Sequence, residues 1–352
     1  MLEFGAGQLA PALLLHVRLR VRRAFPKVPP VGRLYLVTGA AGFIGSNVAR
    51  ALLQRGDQVR VLDNLSTGRR EIVDSLGPVE FIEGDLRDRN AVRRAVTGVE
   101  GVFHQAALRS VERSVDDPAT SNEVNITGTL NLLLACRDHE VRRLVYASSS
   151  SVYGDDPTLP KVETLPANPV SPYAVSKLAA ELYCRTAARL FGVETVSLRY
   201  FNVYGPGQSP ESKYALVIPK FLQQALADEP LEVHGDGEQS RDFTYIDNVV
   251  DANLLSMERA GVSGEAFNIG CGDRYSLLQI AAAMERFFGR KLARRHTAPR
   301  AGDVRHTQAD IAKARRLLGY EPKVHFAAGI QRTCEYFVAH FAQPAAVTAA
   351  RR

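Results

Sequence analysis

The stretch RLYLVTGAAGFIGSNVARALLQRGDQVRVLDN, residues 33 to 64, limits what this chain can fold into more than any other. Leu34 to Val37 read as a short apolar strand, Gly39, Gly42 and Gly45 punctuate a turn, and Phe43 to Gln54 carry a helical period. A second strand, QVRVLD, ends in an acid. Glycines permit the tight turn and let backbone amides approach a pyrophosphate, which then sits on the positive end of the helix. Asp63 stands where a carboxylate accepts hydrogen bonds from both adenosine ribose hydroxyls and repels a 2′-phosphate, so the pattern favours NAD over NADP.

The alternation continues through VEFIEGDL, GVFHQAA, a helix around Thr127 to Arg137, and RRLVYAS. Strands interleaved with helices imply an α/β fold with a parallel, doubly wound (Rossmann) sheet, its ligand at the carboxyl ends of the strands. Asp85 and the backbone of Gln105, Ala106 and Ala107 fall at such ends, and His104 reads as packing. We expect an NAD domain over residues 34–195, with later segments partly returning to its sheet, and a mainly substrate-binding, smaller α/β lobe over 196–342. The lobe contains PLEVHG, a helix near Asp247 to Arg259 and the helix YSLLQIAAAMERFF; residues 343–352 read as a flexible tail.

Charge adds an exclusion. Of the formal +6, residues 1–33 account for nearly all, with six basic residues against the single acid Glu3. The body is close to neutral, so no nucleic-acid partner is expected. The apolar run in that arm precedes its charges, the reverse of a secretory signal, and is too short for stable membrane insertion. It reads as a disordered or loosely docked extension, as a membrane-surface segment, or as sequence ahead of the true start. Four scattered cysteines read as reduced residues of a cytoplasmic protein, and no histidine spacing suggests a metal.

In SPYAVSK, residues 171–177, Tyr173 and Lys177 are four apart and share a helix face. A cation held beside the phenol is expected to lower its pKa and make Tyr173 a base. Ser149 follows the strand RRLVYAS at a carboxyl end, aimed toward the same cleft.

With TGAAGFIG, DN at 63–64, GDL, HQAA, SSSSVYG, YAVSK, RYFNVYGP and GDGEQSRDFTYIDNV in this order, the chain resembles the extended short-chain dehydrogenase/reductase family over residues 34 to about 320, and within it the nucleotide-sugar 4-epimerases. The resemblance implies that Tyr173 is the catalytic base, that Lys177 holds the nicotinamide ribose and tunes the tyrosine, and that Ser149 bonds the reacting hydroxyl. It also implies NAD contacts from Phe43, Ile44, Asn64, Ser66, Thr67 and Gly68, then from Leu86, Tyr200 and Val203, with Asn125 ordering the lysine. For the UDP-sugar it implies Arg109, Ser110, Ser150, Asn202, Gln208 and Val217, and in the later chain His234, Arg241, Arg300, Asp303 and Thr307. Arginines suit diphosphate oxygens because their planar fork donates two bonds at once.

The resembling dehydratases place an Asp-Glu pair just after the catalytic Ser or Thr; here those slots hold Ser150 and Ser151, which argues against a dehydratase, and the motif match leans toward retained NAD and epimerisation through a 4-keto sugar. Thr307 matches a position where a bulky tyrosine excludes an N-acetyl group, and with HQAALRSVERSVDDP and GDVRHTQADI it suggests that UDP-N-acetylglucosamine is accepted beside UDP-glucose. Arg109 departs from the glycine or lysine of such enzymes. A UDP-glucuronate 4-epimerase, another UDP-sugar enzyme of the same family and a non-catalytic NAD-binding regulator stay open. The helices containing Leu130 to Leu134 and Leu178 to Leu190 suggest a homodimer through a four-helix interface.

Overall fold

The computed structural model describes residues 32–209, 217–299 and 304–341. The N-terminal arm up to residue 31, the tail, Arg300 and Asp303 lie outside the described residues.

The glycine-rich stretch forms β1 (Leu34–Thr38), a turn, α1 (Phe43–Gln54) and β2 (Gln58–Asp63). With β3 (Glu80–Glu83), β4 (Gly101–His104), β5 (Arg143–Ser149), β6 (Glu194–Tyr200) and β7 (Glu265–Ile269) they make a seven-stranded sheet, order β3-β2-β1-β4-β5-β6-β7, paired in parallel throughout. The order reverses between β1 and β4, which opens a crevice at their carboxyl ends.

Both faces of this sheet are covered, so its strands read as nearly continuous apolar runs. Alternate residues divide between two cores. Tyr35, Val37, Val61, Phe103 and Val145 pack with Val48 and Leu52 of α1 and Val249 and Val250 of a later helix. Leu36, Leu62, Val102, Leu144 and Tyr146 pack with Val92, Leu132, Leu133 and Ala180 on the other side.

The boundary expected at residue 195 falls inside β6, and β7 follows a long excursion into the second lobe. That lobe holds a helix over Val217–Leu226, the parallel pair Leu231–His234 with Arg294–Thr297, and helices over Leu277–Phe288 and Phe326–Phe341. Ser276 and Gln279 form a reciprocal cap at the start of the helix Leu277–Phe288, and Gly289 ends it in the left-handed region. The helix over Ile246–Glu258 packs on β5 and β6, and its residues share one apolar cluster with Phe221, Ile280, Met284 and Phe337 of the lobe. One continuous core therefore sets the lobe against the sheet.

Candidate active site

The turn after β1 closes tightly on the end of β4. Gly39 has φ +74°, and a Cβ on it would lie 2.6 Å from the amide nitrogen of Ala106. Gly42 precedes α1 and offers no side-chain cap, so the amides of the first turn are left for an anion. Asp63, at the tip of β2, accepts from the amides of Ala41 (3.0 Å) and Leu65 (2.9 Å) while burial pushes its carboxyl pKa up. Each of its oxygens keeps a lone pair for a ribose hydroxyl. The uncapped helix start, the glycine cradle and this oriented acid fit a dinucleotide.

A Gly39→Val change adds strain and a clash at once. The affinity for NAD should fall about 10- to 100-fold, equivalent to roughly 1–3 kcal/mol of strain. Cofactor bound per protein after gel filtration checks it; full retention would contradict the cradle.

The loop Asn64–Gly68 packs back on the glycine turn, with the Arg69 amide bonded to Ala41 at 3.1 Å. Ser66 and Thr67 lie between. Asn64 donates to Asp85 at 2.8 Å, and Arg87 pairs with the same carboxylate at 2.9 Å, holding the Asp85 pKa down at about 2. Leu86 is buried, its carbonyl accepting from Asn131 at 3.1 Å. His104 is packing as expected: its nitrogens meet Thr38 Oγ1 at 2.7 Å and Thr129 Oγ1 at 2.9 Å, and burial pushes its pKa to about 3. Gln105 bonds to Asn253 (2.9 Å) and accepts from the Tyr200 hydroxyl (3.2 Å), with Ala106 and Ala107 following it along the cleft wall.

Tyr173 and Lys177 lie on the helix Pro172–Leu190, which starts with Ser171 as N-cap and proline at its first position. The Lys177 ammonium donates to the Ala147 carbonyl at 2.9 Å and lies 5.9 Å from the centre of the Tyr173 ring. Burial lowers the lysine to about 8. The expectation that Lys177 lowers the phenol needs correction. Burial raises the Tyr173 pKa above the ordinary phenol value, and what opposes it is a hydrogen bond from Ser149 and the positive charge of Arg109. Lys177 points instead under the strand end, where the Ala147 carbonyl holds it.

Ser149 closes β5 and accepts from the Ser151 hydroxyl at 2.9 Å and the Ser151 amide at 3.2 Å, which leaves its own proton for the phenol oxygen. Ser150 opens the short 3₁₀ turn beside it.

The Leu108–Ser114 segment is tied to the helix Pro172–Leu190 at both ends. Asn125, inside a π-helical segment Glu123–Thr127, bonds both backbone groups of Leu108 (2.8 and 3.0 Å) and the Ser176 hydroxyl (2.9 Å). It thus reaches the residue before Lys177 rather than the lysine itself. At the other end Ser114 accepts from the Tyr173 amide at 3.0 Å. Between them Ser110 has φ 112°, a backbone conformation a serine adopts at a cost of about 1–3 kcal/mol.

On the lobe side, Asn202 donates to the Asp242 carbonyl at 3.0 Å, and Val203 begins a two-residue strand beside it. Gln208 is buried and donates to the Val203 carbonyl (3.3 Å), but among the described residues its Oε1 has no partner; Thr307 Oγ1 is likewise buried and unpartnered among them. Such atoms call for a ligand or water. Arg241 is steadied by the carbonyls of Ser240 (3.0 Å) and Arg305 (2.9 Å), His234 bonds Thr297 at 2.8 Å, and Val217 opens its helix half-buried.

Asn253, Ser114 and Ser151 hold the site in place, and sequence reasoning missed all three; only the serine run at 148–151 carried a signal.

The model of the NAD dependent epimerase/dehydratase family matches residues 35–270. The chain belongs to that family. It is 39% identical over 312 residues to a UDP-glucose 4-epimerase of Mycolicibacterium smegmatis, covering 86% of this chain and 97% of that one. Among solved structures it superposes on the UDP-glucose 4-epimerase of Thermus thermophilus in complex with NAD (TM-score 0.80, 38% identity, 87% of this chain and 99% of that one). It also superposes on the UDP-N-acetylglucosamine 4-epimerase of Methanobrevibacter ruminantium in complex with UDP-N-acetylmuramic acid (TM-score 0.83, 34% identity, 87% and 98%). As a member of this family, the enzyme uses NAD as its cofactor.

Proposed function

We propose that this enzyme interconverts the C4 epimers of UDP-hexoses and that it accepts N-acetylated sugars, UDP-N-acetylglucosamine among them, beside UDP-glucose. The UDP-sugar 4-epimerase activity rests on its relatives; the reach to acetylated sugars rests on Thr307, whose small side chain leaves a buried hydroxyl unpartnered.

The glycine turn and Asp63 would hold NAD, which would supply a reversible acceptor for the C4 hydride of the sugar. The chain's own residues do the rest. The Tyr173 phenol, in its ionised form, accepts the proton of the C4 hydroxyl as that hydrogen leaves and returns it when the 4-keto sugar is reduced on its other face. Ser149 donates to the phenol oxygen and steadies its negative charge, and the Arg109 charge acts in the same direction. Lys177, held by Ala147, stands below as a donor for a ribose hydroxyl. Grip on the nucleotide falls to Arg241, with Arg300 and Asp303 proposed from the sequence pattern, so that the sugar is loosely held and free to turn over.

A Thr307→Tyr variant tests the sugar preference. UDP-glucose turnover should stay within about threefold while turnover of the acetylated sugar falls about 10- to 200-fold, the range a filled pocket imposes. Equal effects on both would remove Thr307 as the gate, and preferred conversion of UDP-glucuronate by the unaltered enzyme would overturn the sugar assignment.

The same reading includes a homodimer. Val175, Leu182, Tyr183 and Leu190 lie exposed along the helix Pro172–Leu190, beside exposed Val111 and Val115. Their spacing makes one apolar stripe. The neighbouring helix contributes less than the sequence suggested, because Leu132 and Leu133 are buried and Leu130 and Leu134 half-buried. Among the described residues no helix is long and apolar enough to cross a membrane, and the four cysteines are free thiols, which is compatible with a cytoplasmic enzyme.

A further inference from the structure

Asp242 is fully buried, yet among the described residues its carboxylate meets no cation. Oδ1 accepts from the amide of Cys271 (2.9 Å), and Oδ2 accepts from the amides of Gly272 (2.9 Å) and Ala309 (3.1 Å). Its backbone is equally committed. The Asp242 amide donates to the Thr307 carbonyl (3.0 Å), and the Asp242 carbonyl accepts from the Asn202 side chain (3.0 Å).

Three separate stretches of chain therefore converge on a residue of the Arg241 strand, which makes four in all: the Asn202 segment, the loop after β7, the segment carrying Thr307 and the Arg241 strand itself. Three of the four bear side chains proposed above to contact the UDP-sugar. The packing has been cleared for this carboxylate. A Cβ on Gly270 would lie 2.8 Å from Asp242 Oδ2 and 2.6 Å from Ala309 Cβ, so only glycine lets the loop approach closely enough.

Three backbone amides on one carboxylate are a strong and directional set, since bonds to an ionised acceptor are about twice as strong as neutral ones. Losing the acceptor leaves three donors in a dry site without a partner. The loop after β7 and the chain at Ala309 would then loosen around the pocket, while backbone bonds still pair Thr307 with Ser240 and Asp242, and the sheet, the NAD cradle and the Ser149–Tyr173–Lys177 group are held by other contacts.

We propose that Asp242 is the positioning residue of the UDP-sugar pocket, a buried anion whose three amide bonds anchor the loop after β7 and the chain just beyond Thr307 to the Arg241 strand. This deepens the functional reading given above and rests on it.

Ionisation of the same group supplies an independent handle. Burial raises the Asp242 carboxyl to about 6, from an ordinary value of 3.8, with the three amides opposing the rise. The titratable groups that face it are the Asp273 carboxylate, the Cys271 thiol and the phenols of Tyr275 and Tyr320. A raised folded-state value means that the folded protein takes up this proton more readily than the unfolded chain between about pH 6 and 4. Protonation there does not cost stability through this group, but it removes an acceptor from the amides. Weaker substrate binding below about pH 6 is thus separable from unfolding.

The test uses the full chain with NAD and compares Asp242→Asn and Gly270→Ala with the unaltered enzyme. KM for UDP-glucose should rise at least about tenfold in Asp242→Asn, with kcat changed by less than about threefold and NAD retained. Binding of UDP alone, followed by calorimetry, should weaken by a similar factor. Gly270→Ala should show the same split, because its methyl displaces the carboxylate. In the unaltered enzyme KM should climb at least about threefold from pH 7 to pH 5, and in Asp242→Asn it should be flat. A KM within twofold of the unaltered enzyme in Asp242→Asn, or a fall in kcat at constant KM, would overturn the proposal. If the variant loses NAD and does not fold, the pH profile of the unaltered enzyme decides: a flat KM down to pH 5 contradicts the proposal. Should the unaltered enzyme turn over no UDP-sugar, the functional reading fails, and UDP calorimetry still tests the positioning role.

Discussion

A Tyr173→Phe variant should lose about 10²- to 10⁴-fold in kcat for 4-epimerisation, the contribution expected of a positioned base, with KM for the UDP-sugar and the content of NAD little altered. The hydroxyl is the only part removed. The ring, the amide bond to Ser114 and the helix stay in place, so a loss confined to kcat reports the proton transfer alone. The pH dependence carries the sign of the mechanism. Burial holds the phenol above its ordinary value against the Ser149 hydrogen bond and the Arg109 charge, so the ionised base becomes scarcer as pH falls. Turnover in the unaltered enzyme should therefore rise with pH through the neutral range, and the residual rate of the phenylalanine variant should not follow that rise. Stopped assays across pH check both. A variant with more than a tenth of the original kcat would remove Tyr173 as the base.

The second large effect concerns stability. Arg199 and Glu181 form an ion pair at 2.6 Å in which each side chain is only 8% exposed, with a further bond from Arg199 Nε at 3.1 Å. Ser148 donates to the same carboxylate at 2.6 Å, and Arg199 donates to the Tyr153 hydroxyl at 2.8 Å, which passes on to Asn268 at 2.6 Å. The network joins the end of β5, one residue from Ser149, to the helix Pro172–Leu190, β6 and β7. Glu181→Gln leaves the guanidinium buried without its counter-charge and should cost about 3–5 kcal/mol in urea unfolding. Adding Arg199→Met removes the stranded charge, so the double variant should be destabilised less than the single one. A single variant within about 1 kcal/mol of the unaltered protein would show that the pair does not hold the site together.

How much the sequence disclosed depended on the range over which each feature acts. The glycine turn, α1 and the acid at the end of β2 are dictated by contiguous residues, and they appear at Leu34–Thr38, Phe43–Gln54 and Asp63 as the spacing indicates. The helix Pro172–Leu190 was equally plain from SPYAVSK and its i, i+4 pair. What the pair could not convey was where the lysine would point. The i, i+4 rule brings Lys177 near Tyr173, but the Ala147 carbonyl, thirty residues earlier in the chain, captures it. The opposing influences on the phenol come from the Ser149 hydrogen bond and the charge of Arg109, on a segment that Asn125 ties down at Leu108 and Ser114 ties to Tyr173. The role of Asp242 was hidden for the same reason. Its partners lie about 30 to 70 residues away, and in the sequence it is one acid in a polar run. The exposed stripe was only half visible, since a leucine-rich helix gives no sign of which leucines the sheet will cover.

Conversion of UDP-glucose and UDP-N-acetylglucosamine carrying deuterium at C4, followed by proton NMR in ordinary water with bound cofactor assayed in parallel, tests the central claim most directly. The 4-epimer of each sugar should appear with its deuterium still at C4 and with NAD unchanged in amount and oxidation state. Epimer carrying a solvent hydrogen at C4, steady accumulation of reduced cofactor, or no epimer from any UDP-hexose would contradict it.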